Sequence, residues 1–291
     1  MFFVNLRHYP SKNLFIMKKI LVPTDFSKPS EYASKLASTI AKNSDSEVHL
    51  LHMIEIPTGI IDMGGGSNFS IPESMLYIRK VRDKLINYKQ KFFHENNNVK
   101  HSIRFQNPYE GIRDYGKKIN ADLIVMGSKG HTDLEEILIG SNTEKVVRNS
   151  EAPVLVTKKD GDNFNPKNLI FASSFKPDKN KAFTRFLDFA NNFDSKIHLL
   201  KINTPQKFEN TQKTKDRIQN FVSKHNLKNY SINVYNDSSV ERGILNYSNE
   251  INADVIALAT HGRSGLSHIF NGSITKHLSK KAIKPMLTFK V

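Results

Sequence analysis

The sequence contains no cysteine and no long apolar run. The lack of cysteine in 291 residues excludes disulfide frameworks, cysteine-ligated zinc, iron–sulfur clusters and thiol nucleophiles. No stretch approaches the roughly 18 consecutive apolar residues of a membrane-spanning helix, so we expect no membrane partner. A hydrophobic fraction of 38% with 10% aromatics is enough for packed cores. We therefore expect a folded, cytoplasmic protein, and its length favours two domains at about 100–200 residues each.

Blocks of like charge are also missing. The chain has 43 Lys and Arg against 28 Asp and Glu, a formal net charge of +15, but the excess is spread over both halves. Spread charge is typical of a solvated surface rather than of a segment that binds nucleic acid. We therefore do not expect nucleic acid to be a partner.

Residues 1–16 lack a helical or strand period and end just before Met17. The apolar stretch from Phe2 to Val4 is too short for a signal peptide, and no small-residue cleavage site follows it. We expect residues 1–16 to be a disordered leader or a start-site artefact, with Met17 as the natural start.

An internal repeat divides the chain into two halves. Residues 120–141 read NADLIVMGSKGHTDLEEILIGS and residues 252–273 read NADVIALATHGRSGLSHIFNGS. Nine of these 22 positions match without a gap, which indicates a tandem duplication. A polar, turn-rich stretch lies between the copies, so we expect a first domain over residues 17–159, a linker over 160–166 and a second domain over 167–291.

Each half alternates short apolar runs with amphipathic helices. In the first half, strands are expected at residues 20–23, 48–54, 99–105, 123–126 and 154–157. Helices are expected after Ser27 and at residues 75–93, 109–119 and 141–149, and the second half repeats this order. Apolar strands separated by helices are typical of parallel sheets covered on both faces. The fold class is therefore α/β, with two tandem doubly wound five-stranded parallel sheets of strand order 3-2-1-4-5.

In such a sheet a ligand binds beyond the carboxyl ends of the strands, where the strand order reverses between strands one and four. Strand one is followed by Pro23, Thr24 and Asp25, strand four leads into the glycine-rich residues 127–130, and residues 140–141 open the next helix. Glycine lets the backbone approach an anion, and a helix start favours negative charge. A nearby carboxylate accepts hydrogen bonds from a ribose hydroxyl or an adenine amine. These features predict a mononucleotide site.

The glycine pattern and its position resemble the universal stress protein family. The chain has Gly, two residues, Gly, nine residues and Gly-Ser after the strand ADLIVMG, with ILVPTDFS far upstream. In that family this pattern marks the members that bind ATP, and the resemblance covers residues 17–291. It implies an adenine nucleotide alpha hydrolase-like fold and ATP, or AMP or ADP, as ligand, with Mg²⁺ as an accompanying ion. It also implies that the last strands, 154–157 and 286–289, pair within one chain, and pairing of two chains into a homodimer is a further expectation.

The resemblance further implies which residues surround the nucleotide. Asp25 and the backbone near Met53 would hold the nucleoside, and the glycine-rich segment would surround the phosphates. The full predicted set is Pro23, Thr24, Asp25, Met53, Met126, Gly127, Ser128, Lys129, Gly130, Gly140, Ser141, Asn142 and Thr143. Alternatives stay open, because Asp25 and Ser141 also suit helix caps and a loop lysine such as Lys129 is often simply solvated.

The second half departs from this pattern at three positions. Ser174 replaces Asp25 and lacks its charge, Ala172 replaces Pro23, and Ala259 adds a methyl group where the first half has Gly127. A degenerate second site would comprise Ser174, Gly262, Arg263, Gly272 and Ser273. We therefore expect about one nucleotide per chain, bound through the first half.

Residues for metal binding or catalysis are not predicted from the protein alone. His49 and His52 are three apart on a strand, so they point to opposite faces. The spacing of a phosphate-binding P-loop and the order of a serine hydrolase triad are both absent.

The leading interpretation is a stress-response protein that binds ATP or a related adenine nucleotide and acts as a regulator or interaction protein. One alternative is a slow ATPase or nucleotidyl-transfer enzyme, for which Asp25, Ser141 and Thr143 are the candidate residues. The other is a nucleotide-free module that binds an acidic partner.

Overall fold

The computed structural model describes residues 17–55, 71–96, 98–128, 141–158, 160–161, 164–260 and 284–290. The first half contains β1 (Lys19–Thr24), α1 (Lys28–Ser44), β2 (Glu47–Ile54), α2 (Ile71–Phe93), β3 (Val99–Phe105), α3 (Pro108–Ile119), β4 (Leu123–Gly127), α4 (Ser141–Asn149) and β5 (Val154–Thr157). The five predicted strands of this half are confirmed to within one residue at each end. None of the helices in the described part of the chain is long and apolar enough to cross a membrane.

The second half repeats the order with one difference at its first helix. It contains β6 (Asn168–Ala172), α5 (Asn180–Ala190), β7 (Lys196–Asn203), α6 (Thr211–Val222), β8 (Tyr230–Asn236), α7 (Val240–Glu250), β9 (Val255–Thr260) and β10 (Met286–Lys290). A 3-10 turn at Pro177–Lys179 precedes α5, whereas α1 begins directly as an α-helix.

The strands form one ten-stranded sheet in the order β3-β2-β1-β4-β5-β10-β9-β6-β7-β8. Each half has the predicted order 3-2-1-4-5 and is parallel throughout. The halves join through β5 and β10, which pair antiparallel with Leu155 opposite Leu287. The predicted contact between the last strands within one chain is therefore confirmed.

Two hydrophobic cores lie on the two faces of the sheet. Residues that alternate along β1 face opposite sides, so Ile20 and Val22 pack with α1 and α2 in one core and Leu21 packs with α3 and α4 in the other. Both cores continue from the first half into the second, with Phe171 in the first core and Ile170 in the other. The helices cover both faces of the sheet but leave the carboxyl ends of the strands accessible. Ligands bind beyond these carboxyl ends in this architecture.

Candidate ligand-binding site

A cavity of about 610 Å³ lies at the carboxyl ends of β1 and β4 in the first half. Its walls are Pro23, Thr24, Asp25, Ser27, Pro29, Ser30, Leu51, Met53, Pro108, Ile112, Met126, Gly127, Ser128, Ser141, Asn142 and Thr143. Ten of the thirteen predicted site residues are in this wall, including Asp25 and the first residues of α4. The other three, Lys129, Gly130 and Gly140, lie outside the described residues.

The turn after β1 fixes the Asp25 carboxylate at the cavity. Phe26 adopts a left-handed backbone conformation, with φ of 63°, and this reverses the chain between β1 and α1. Asp25 Oδ1 accepts hydrogen bonds from the Ser27 backbone N–H at 3.0 Å and from the Ser27 hydroxyl. Burial alone would raise the pKa of Asp25, but the hydrogen bonds from Ser27 outweigh it and hold the pKa below its ordinary value. Asp25 is therefore ionised at neutral pH and serves as an acceptor.

The same turn starts helix α1. The Ser27 side chain accepts from the backbone N–H of Ser30 at 3.5 Å as the N-cap, and Pro29 lies in the first turn, which favours helix initiation. The helix expected after Ser27 is therefore confirmed. It also places Ser27, Pro29 and Ser30, which were not predicted as site residues, in the cavity wall.

A chain of hydroxyl groups leads from the cavity towards α2. Thr24 Oγ1 lies 3.1 Å from Ser30 Oγ, which lies 3.3 Å from the Tyr88 hydroxyl. Ser34 Oγ is 3.0 Å from the same hydroxyl. Burial raises the pKa of Tyr88 despite these contacts, so the phenol stays protonated. The sequence gives no local signal for this chain, because it joins residues 58 positions apart.

Part of the cavity lining is apolar and comprises Leu51, Met53, Ile112 and Met126. The position of Met53 depends on a glycine in α3, since a Cβ atom added at Gly111 would lie 2.0 Å from Met53 Cε. A cavity lined by apolar side chains together with a carboxylate suits a flat ring that carries polar groups at its rim.

Gly127 has a packing role that was not predicted from the sequence. A Cβ atom at this position would lie 2.2 Å from the carbonyl oxygen of Pro29, so the missing side chain lets the first turn of α1 pack on the end of β4. The Gly127 carbonyl accepts a hydrogen bond from Thr143 Oγ1 at 3.0 Å, which ties α4 to the same strand end. A larger residue at position 127 would therefore disturb the packing of α1 on β4 as well as the cavity lining.

Ser128 has a buried hydroxyl in the cavity wall. Its residue is 1% exposed, and Ser128 Oγ has no hydrogen-bond partner among the described residues. Its backbone N–H donates to the Thr157 carbonyl at 3.0 Å, which fixes the residue at the end of β4. Because an unpaired buried hydroxyl is costly, this atom suits a polar ligand group.

The carboxyl ends of the strands in the second half are followed by different polar groups. By the alignment of β1 with β6, Ser174 stands at the place of Asp25, and Lys179 at that of Ser30. Lys179 is 5% exposed, and its Nζ lies 2.8 Å from Asp178 Oδ2. Ala259 is half-buried and packs against the core. The remaining residues of the predicted second site, Gly262, Arg263, Gly272 and Ser273, lie outside the described ranges.

The two histidines of β2 contact opposite sides of the sheet, as predicted. His49 contacts Glu47 through Nε2 and lies 3.2 Å from the Tyr115 hydroxyl through Nδ1. His52 Nδ1 lies 2.8 Å from the Thr24 carbonyl oxygen, which places its ring near the turn after β1. Burial lowers the pKa of both imidazoles, so they are neutral at physiological pH. Within the described ranges, no group of three or more His, Cys, Asp or Glu residues is arranged to hold a metal.

Comparison with known proteins gives matches over both halves. The model of the universal stress protein family matches residues 17–158 and 166–290. The chain is 36% identical over 149 residues to the universal stress protein MJ0531 of Methanocaldococcus jannaschii, covering 51% of this chain and 85% of that protein. It is 35% identical over 155 residues to MJ0577 of the same organism, covering 49% and 95%.

A solved structure has the same fold over nearly the whole chain. The universal stress protein of Archaeoglobus fulgidus DSM 4304 superposes with a TM-score of 0.71 at 18% identity, covering 95% of this chain and 99% of that one. At this identity the likeness concerns the fold. Together with the two matched segments, it shows that the chain belongs to the universal stress protein family and carries two tandem domains of that family.

Proposed function

We propose that the first domain binds ATP or a related adenine nucleotide, and that the protein acts as a stress-response regulator or interaction protein. The observation that supports this most strongly is that one cavity of about 610 Å³ contains an ionised carboxylate, an apolar wall and a helix start. Its volume is within the roughly 300–1,000 Å³ of small-molecule sites.

Each wall suits one part of the nucleotide. Asp25 would accept hydrogen bonds from ribose hydroxyls or the adenine amine, and Met53 and Met126 would pack against the base. Ser141 and Thr143 lie in the first turn of α4, where free backbone N–H groups and the helix dipole favour a phosphate. The unpaired Ser128 hydroxyl would donate to the same phosphates. Mg²⁺ would be held mainly by phosphate oxygens and would balance their charge.

The regulatory part of the proposal follows from where the phosphates would lie. They would contact α4 and the end of β4, and the Thr143 hydroxyl already joins these two elements through the Gly127 carbonyl. A bound nucleotide would therefore stabilise the contact between α4 and the end of β4 relative to the nucleotide-free protein. A partner that recognises the stabilised region of α4 and β4 would distinguish the nucleotide-bound protein from the nucleotide-free protein.

The second domain is not proposed to bind a nucleotide in the same way. Ser174 cannot supply the charge of Asp25, and the buried ammonium of Lys179 takes the place of a hydroxyl. We therefore propose one nucleotide per chain.

The test is to identify any small molecule released from the purified full-length protein by mass spectrometry, and then to titrate the stripped protein with ATP and with GTP. The proposal predicts that an adenine nucleotide is released or that ATP binds more tightly than GTP. If no adenine nucleotide is carried and ATP does not bind, the proposal is wrong.

A further inference from the structure

Strand β3 forms one outer edge of the ten-stranded sheet. It pairs with β2 through residues Val99 to Phe105, and within the described chain its other side faces no strand. An edge strand leaves a row of backbone N–H and C=O groups available for pairing with another chain. The opposite edge of the sheet is β8 of the second domain. Because β3 and β8 are equivalent strands of the two domains, their surroundings can be compared directly.

The two edges differ strongly in charge. Helix α2 and strand β3 contain eight Lys and Arg against two acidic residues. The equivalent helix α6 and strand β8 contain three against one, and β8 itself carries no charged residue. The positive charge is thus concentrated at the edge formed by α2 and β3. Counting charges over whole halves of the chain does not reveal this concentration.

Cations lie near both faces of β3, on helix α2 at one face and on β3 itself at the other. On one face, helix α2 packs against β3 and carries Arg82 and Lys89. Burial, together with the charges of Lys89 and Arg82, lowers the pKa of His101, so this imidazole is neutral at physiological pH. On the α3 side, Lys100 Nζ lies 2.9 Å from Glu47, and the Arg104 guanidinium lies 5.4 Å from the centre of the Tyr115 ring. We call the four residues Arg82, Lys89, Lys100 and Arg104 the basic edge.

The basic edge is poorly neutralised. No carboxylate of the described residues forms a salt bridge with Arg82, Lys89 or Arg104, whereas Lys100 shares Glu47 with His49. Charged side chains on an edge strand, lysine above all, discourage unwanted pairing. Here a second element, α2, adds two further cations to the same edge, and their mutual repulsion would be relieved by an acidic partner.

From this charge and the open strand, we infer that the basic edge binds an acidic, extended segment of a partner protein, which adds to the sheet as a strand beside β3. Main-chain hydrogen bonds would supply affinity that depends little on sequence. Asp and Glu on both faces of the added strand would meet cations on both faces of β3, and this charge complementarity would supply specificity and a fast, salt-dependent association. This interaction does not require the nucleotide site.

A direct test uses fluorescence anisotropy with a labelled peptide whose acidic core has seven residues, the length of β3. We expect saturable binding to the full-length protein that weakens between about 0.05 M and 0.5 M salt. The double substitution Arg82→Glu and Lys89→Glu should weaken binding by about tenfold or more, since it reverses two complementary charges. The matched control Lys215→Glu, on the exposed face of α6, should change it by less than about twofold.

Hydrogen exchange of the complex then tests the strand pairing. The outward-facing amides of β3 should become protected by the acidic peptide and stay unprotected with a peptide in which lysine replaces the acidic residues. The inference is wrong if the acidic peptide does not bind, or if Lys215→Glu weakens it as much as the double variant. It is equally wrong if β3 stays unprotected, or if single-stranded DNA binds the same residues more tightly than the peptide.

Discussion

The carboxyl ends of β1 and β6 occupy equivalent places in two copies of one fold, but the turns that follow them are built differently. In the first domain Ser27 caps the helix and fixes the Asp25 carboxylate. In the second, the Lys176 side chain makes no cap hydrogen bond, and a 3-10 turn precedes α5. The strands and their order are retained in both copies. The duplication has therefore kept the sheet and changed the few residues that would touch a ligand.

Other equivalent positions show which features the fold itself requires. His49 and His198 stand at the same place in β2 and β7, and each contacts a tyrosine hydroxyl from the helix behind it, at 3.2 and 3.3 Å. Phe26 and Phe175 both adopt a left-handed backbone, with φ of 63° and 54°. Features that both domains share are those that the fold requires, whereas features present in only one domain are candidates for function.

The largest expected effect concerns the carboxylate that distinguishes the two turns. Asp25→Ala should weaken ATP binding by about 10- to 100-fold, since a hydrogen bond to a charged group contributes about 1.5–3 kcal/mol. The matched substitution Ser174→Ala should leave affinity unchanged. Isothermal titration calorimetry of both variants checks this, and equal losses in the two would contradict the proposed asymmetry.

The next effect concerns stability and the contact between α1 and β4. Gly127→Ala should lower the free energy of unfolding by about 1–3 kcal/mol, because the new methyl group would overlap the Pro29 carbonyl and force the helix to shift. The reverse change in the second domain, Ala259→Gly, should cost no more than about 1 kcal/mol. Urea denaturation measures both. Equal costs would mean that the close approach at Gly127 is not a constraint.

A smaller effect is expected at the helix starts. Ser27→Ala should destabilise the protein by about 1 kcal/mol through loss of the N-cap, and it should raise the pKa of Asp25 by removing its main hydrogen-bond donor. Lys176→Ala, at the uncapped start in the second domain, should change stability by less than about 0.5 kcal/mol. Thermal unfolding compares the two, and an equal effect would remove this difference between the domains.

The smallest effect is a dependence on pH at a position where the copies differ, since Asp188 of α5 aligns with Thr39 of α1. Burial, reinforced by Asp122 and opposed by Arg185, raises the pKa of Asp188 from 3.8 to about 6. The folded state then holds the Asp188 proton more tightly than the unfolded state does. The contribution of this group to the free energy of unfolding therefore falls as the pH rises from about 4 to 6, and it does not change further above pH 6.

Asp188→Asn should remove this loss. We expect the variant to gain no more than about 1 kcal/mol over the wild type above pH 6, since partial exposure of the group reduces the effect. The control is Asp194→Asn, whose side chain is 97% exposed and which should leave the pH dependence unchanged. Unfolding curves from pH 4 to pH 8 measure both, and identical curves for Asp188→Asn and wild type would contradict the assignment.

Much of the fold could be predicted from the sequence, because it is encoded in local patterns. Apolar runs marked the strands, and the repeat marked the duplication. The start of α1 could be predicted because Ser27 and Pro29 lie only two positions apart in the chain. The 3-10 turn before α5 was not predicted, since the alignment of the two halves carried the helix start of the first copy into the second.

The lining of the cavity was predictable where its residues follow strand ends and not where it depends on distant contacts. Asp25 and Ser128 were predicted from their positions, whereas Ser30 and Tyr88 meet only after α2 has packed on α1. The packing role of Gly127 against Pro29 was missed for the same reason. The basic edge was missed because charges were counted over whole halves, and the packing of α2 beside β3 is what concentrates them.

The central claim is that one of two homologous domains binds an adenine nucleotide, and calorimetric titration of the full-length, stripped protein with ATP tests it most directly. The account predicts a stoichiometry of about one nucleotide per chain, with binding lost or strongly weakened in Asp25→Ala and retained in Ser174→Ala. Two equivalent sites per chain, or binding that survives Asp25→Ala and disappears in Ser174→Ala, would contradict it.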